Sequence, residues 1–85
     1  MGEKSRPLSE LQIRATTHAT EHNLASNQKQ LLEDIAEGKI SPTRAFNLVY
    51  AATKCKECAK SARWLAIIAR DYGVKEAKKI LERIS

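Results

Sequence analysis

The sequence is short of the residues that interrupt or staple a chain: three glycines, two prolines and two cysteines in 85 residues. Each scarcity excludes something. Two cysteines separated by two residues are too few to staple a secreted fold, so they read as thiols or metal ligands in an intracellular chain. No run of about 18 apolar residues is present to span a bilayer, and the opening MGEKSRPLSE lacks the apolar core of a signal peptide. The expectation is a soluble, cytoplasmic protein without membrane contact. There is no glycine-rich phosphate loop, internal repeat or low-complexity tract. Glu33, Asp34 and Glu37 form an acidic cluster with no histidine or second carboxylate group placed to share a proton, and the serines and threonines have no base beside them. A non-enzyme is expected.

Few breakers leave room for long helices. Ser41 can accept from the unpaired amides of a first helical turn, Pro42 suits the position after it, and Gly73 suits a left-handed stop. Between them Ala45, Leu48, Ala52, Cys55, Ala59, Ala62, Ala66 and Ala69 recur at spacings of three and four, which predicts one helix from Pro42 to Tyr72. Upstream, Leu11, Ala15, His18, His22 and Ala25 share one face. The pattern weakens over NLASN, resumes at Leu31, Leu32, Ile35 and Ala36, and stops at Gly38. Val74, Ala77, Ile80, Leu81 and Ile84 predict a final amphipathic helix over Trp64 and Ile68. The predicted fold is all-α, a small antiparallel helical bundle of three to four helices built on one long central helix. Residues 1–7 form an arm, and residues 8–85 a single domain with a small margin of stability.

Charge is unevenly spread. Residues 1–40 carry five basic and six acidic side chains, whereas residues 41–85 carry ten basic and four acidic, a net of +6. Lys56, Lys60, Arg63 and Arg70 fall on one flank of the predicted long helix, and Lys75, Lys78, Lys79 and Arg83 line the last one. Such a surface suits a phosphate backbone, DNA ahead of RNA, although a charge run is also what an ordinary solvated face looks like. LAIIARDYGVKEAKKIL has the look of a helix-turn-helix through Ala69 and Gly73, but Lys79 stands where that pattern places a buried aliphatic. Phe46, Tyr50, Trp64 and Ile68 form a second apolar group opposite the alanine stripe. They predict the alternative function, an adaptor or small subunit docking onto a larger protein, with self-association left open.

The chain's only histidines and only cysteines make the other candidate site. His18 and His22, four apart, and Cys55 and Cys58, three apart, would each share a helix face. In a hairpin turning at Gly38 to Ser41, residues at one height have numbers summing to about 79, by the equal rise of two antiparallel helices. His22 then falls level with the cysteines and His18 one turn away. Four such ligands suit a structural, tetrahedral zinc with no position open to water. The plainer reading makes them seam residues of the core. Thiol redox work ranks third, because no strand leads into the C-x2-C. In order and type, His18-x3-His22 followed by Cys55-x2-Cys58 resembles the HHCC motif of the small N-terminal domain of retroviral-type integrases, with a longer gap between the pairs. The resemblance implies a zinc that ties a helical bundle together and helps it assemble with partners.

Overall fold

The computed structural model describes Glu10, residues 13–15 and residues 27–84. All the regular structure among them is helical. Four helices follow one another, α1 (Lys29–Ala36), α2 (Pro42–Thr53), α3 (Lys56–Asp71) and α4 (Val74–Ile84), and Glu10 and residues 13–15 are helical as well. The all-α bundle expected from the sequence is therefore present. The arm over residues 1–7, and His18 and His22, lie outside the described residues.

Most of the local signals act as anticipated. Ser41 Oγ accepts from the Arg44 amide at 3.3 Å, and Pro42 opens α2 where a missing amide proton leaves no bond unmade. Gly38 takes a φ of +79° and lets the Lys39 amide reach back to the Asp34 carbonyl at 3.1 Å. Gly73, at +108°, closes α3 in the same manner, its amide donating to the Ile68 carbonyl at 3.1 Å.

The long helix does not form. The chain breaks at Lys54, whose φ of 58° lies in the left-handed region, and restarts with Cys55 as the N-cap of α3. Three side-chain bonds replace those the break removes. Thr53 Oγ1 donates to the Val49 carbonyl at 2.8 Å and accepts from the Cys55 amide at 3.2 Å, and Cys55 Sγ accepts from the Cys58 amide at 3.2 Å. The reason lies in the alanine stripe. A straight helix over residues 42–72 would run about 46 Å at 1.5 Å per residue, beyond the 30 Å longest dimension of the molecule. It would also leave its small side chains nothing large to cover. Folding back at residue 54 instead packs Ala45 and Val49 of α2 beside Ala59, Ala62 and Ala66 of α3, all 2% exposed or less.

α3 is thus the central helix, 16 residues long, touching α1, α2 and α4. α1 packs chiefly on α3 and α4 rather than along α2, which corrects the expected hairpin about Gly38 to Ser41. Leu32 and Ile35 from α1, Leu65 and Ile68 from α3, and Ile80 from α4 form the bulky part of the core. Ala15 is buried against it, and Ser61, the buried polar residue of α3, donates from Oγ to the Arg14 carbonyl at 3.4 Å. That bond fixes the N-terminal helical segment on α3.

Candidate nucleic-acid interface and the cysteine pair

Because α2 doubles back on α3, residues 43–47 come opposite residues 60–64. Between them lies an open groove of about 510 Å³, lined by Arg14, Thr43, Phe46, Asn47, Lys60, Arg63 and Trp64. The guanidinium carbons of Arg14 and Arg63 stand 5.5 and 5.6 Å from the centroid of the Trp64 ring, within the range of a cation–π attraction. Lys60 is exposed on the rim and reaches Glu57, one turn back, at 3.6 Å. Phe46 lines the groove and stacks at 6.1 Å on Tyr50, which is 45% exposed and carries the aromatic surface outward.

Two sets of residues that the sequence presents separately are therefore one surface. Lys60 and Arg63, from the basic flank, meet Phe46 and Trp64, from the apolar group. Ile68 does not join them. It is fully buried in the core, because the bend in the chain turns that side of α3 toward its neighbours, so it cannot dock a partner. Arg14, Thr43 and Asn47 escaped the sequence reading. Their proximity to Trp64 follows from the break at Lys54 and from the seating of the N-terminal segment, neither of which helical periodicity reveals.

The remaining basic residues disperse. Lys56, Lys75 and Arg83 are exposed. Arg70 is held by Asp71, from Nε to Oδ1 at 2.9 Å, and Lys79 reaches Glu76 at 3.7 Å. Lys78 lies in a second depression with Glu33, Glu37, Leu81 and Glu82, where acidic groups offset its charge. The Glu37 carboxyl there is held below its usual range, first by its hydrogen bond to Lys39 and then by the Lys39 and Lys78 charges. α4 therefore presents a mixed surface rather than a basic stripe. Its buried aliphatic is Ile80, with Lys79 exposed beside it, so the departure from a helix-turn-helix read in the sequence is realised in the packing.

The two cysteines come together, but not as neighbours on one straight helix. Cys55 is the half-buried N-cap of α3, and Cys58, three positions later, is 2% exposed. Both are thiols. Burial, and then a hydrogen bond to Cys55, push the Cys58 thiol up to about 12. Among the described residues no three histidine, cysteine or acidic side chains converge on one point. The height argument that brought His18 and His22 level with the cysteines assumed a straight helix, and the break removes that premise. No helix among the described residues is long and apolar enough to cross a membrane. Comparison with protein families, curated proteins and solved structures finds no match to this chain.

Proposed function

We propose that this chain is a small non-enzymatic accessory protein that associates with nucleic acid through the groove between α2 and α3. The observation that carries the reading is the convergence of Arg14, Lys60 and Arg63 around Trp64 and Phe46. Cations beside a half-exposed aromatic surface suit a strand whose bases stack while its phosphates meet the basic rim, and stacking is worth about 1–3 kcal/mol per base. DNA stays ahead of RNA as the expected partner, and stacking on Trp64 and Phe46 favours an unpaired stretch over a closed duplex.

Anisotropy of labelled single-stranded DNA, duplex DNA and RNA, measured over a range of salt, tests the proposal. Each phosphate contact contributes roughly 0.7 to the log–log salt slope on a single strand. The pair Lys60→Glu and Arg63→Glu should lower that slope by about 1.4 and weaken binding to every sequence, whereas Lys75→Glu with Arg83→Glu should change it far less. Equal losses from the two pairs would remove the groove from the account. The competing adaptor reading rests on the stacked Phe46 and Tyr50, whose exposed edge continues the groove. It predicts no oligonucleotide binding and a protein contact that persists at high salt.

A structural zinc held by His18, His22, Cys55 and Cys58 is a second, separable part of the proposal. It is supported by the nearness of the two cysteines, the Cys55 Sγ lying 3.2 Å from the Cys58 amide nitrogen. Protein purified without added metal should contain about one equivalent of zinc and lose melting temperature on chelation. A chain that neither takes up zinc nor changes stability with it refutes this part and leaves the groove untouched.

A further inference from the structure

We propose that in the metal-free chain Cys55 and Cys58 form a reversible thiol–disulfide couple at the α2–α3 elbow, oxidised by low-molecular-weight disulfides of the glutathione type. The sequence offers no strand leading into C-x2-C, but the left-handed Lys54 supplies an equivalent approach by ending α2 and starting α3 on Cys55. Cys55 has an extended backbone, φ −106° and ψ 107°, which turns its Sγ back over the first turn of α3, 3.2 Å from the Cys58 amide nitrogen. The Cys58 sulfur is three bonds from that nitrogen and is hydrogen-bonded to Cys55. An S–S bond of about 2.05 Å requires the two sulfurs to close from hydrogen-bonding contact.

Burial assigns the order of events. Cys55 is half-buried at the surface of the elbow and Cys58 is 2% exposed, so an external disulfide meets Cys55 first. The Cys55 sulfur, its proton passed to solvent, attacks one sulfur of RSSR, forming a Cys55–SR mixed disulfide and releasing RS⁻. The Cys58 thiol then gives up its proton, attacks Cys55 Sγ and displaces the second RS⁻. Both leaving groups take up protons from solvent, so one RSSR and two thiols become one protein disulfide and two RSH. The two protein sulfurs are oxidised and the two sulfurs of RSSR are reduced. The product clips the N-cap to the third residue of α3 and stiffens the elbow that sets Thr43, Phe46 and Asn47 opposite Lys60, Arg63 and Trp64.

The test is equilibration of the full chain, treated with chelator, in glutathione buffers of graded oxidation, with thiol trapping and intact-mass measurement. The wild-type chain should convert to a monomer two hydrogens lighter. Cys58→Ser should stop at the glutathione adduct, and Cys55→Ser should form that adduct about tenfold more slowly, because its remaining thiol is shielded. Circular dichroism of each variant confirms that the helices persist. The proposal is overturned if the wild-type chain stops at the mixed disulfide, links into dimers or stays reduced at every ratio, and equally if the two single variants react at the same rate. The wild-type result stands alone should either variant fail to fold.

Discussion

Replacing Lys54 by glycine should stabilise this protein, and the sign of that effect separates the elbow from the continuous helix suggested by periodicity. Lys54 holds a φ of 58°, a conformation that costs an ordinary L-residue about 1–2 kcal/mol. Its side chain is exposed. Its amide bond to the Tyr50 carbonyl, 2.8 Å, belongs to the backbone and survives the change. Glycine relieves the steric cost but adds roughly 0.5–1 kcal/mol of lost chain entropy on folding. The net expectation is a gain of about 0.5–1 kcal/mol, seen as a rise in the urea midpoint by far-ultraviolet circular dichroism with the slope unchanged. In the interior of a continuous helix the same substitution loses nearly 1 kcal/mol, since glycine is among the poorest helix formers. A lowered midpoint would refute the break at Lys54, and with it the folding back that creates the groove.

Ile68→Ala should cost about 2–5 kcal/mol, a large share of the roughly 4–13 kcal/mol available to a domain of this size, because Ile68 is fully buried. Tyr50→Ala should cost far less in urea melts, and if the two are equal the docking face read from the sequence must be restored. Cys58 gives stability a pH dependence of known sign. Its thiol is protonated in both states below its ordinary value of 9.0, and between there and about 12 the unfolded chain loses the proton that the folded chain keeps. Stability should therefore fall across that window. The slope should be shallower in Cys58→Ala, and melts of the two proteins in parallel from pH 8 to 11 check it.

Features written in short stretches of sequence were legible. The Ser41–Pro42 start, the stops at Gly38 and Gly73 and the buried face Ala77, Ile80 and Ile84 each depend on a few neighbouring residues, and the structure contains all of them. The elbow was hidden because it uses no glycine or proline. Thr53 and Cys55 supply hydrogen bonds that a helix interior would have made for itself, and a lysine takes the left-handed position. The alanine stripe runs through the break without losing phase, since an N-cap and the residues three and four places later keep helical spacing. Only α3 buries its share of the stripe, Ala59, Ala62, Ala66 and Ala69; in α2 the buried pair is Ala45 and Val49, while Ala52 is exposed, so unbroken spacing in the sequence concealed a change of face. Once the rod is bent, Ile68 becomes core, while Phe46 and Trp64, 18 positions apart in the sequence, share a groove with Arg14. The candidate metal site stays a proposal, since His18 and His22 lie outside the described residues, and the height argument lost its premise with the rod.

The central claim is that the α2–α3 groove receives nucleic acid, and the single tryptophan of the chain reports on it directly, because Trp64 lines that groove. The decisive measurement is titration of Trp64 fluorescence with an unlabelled single-stranded oligonucleotide at several salt concentrations. The account predicts saturable quenching whose midpoint weakens steeply as salt rises, as phosphate contacts require. Oligonucleotide binding seen by anisotropy with Trp64 emission unchanged would contradict it.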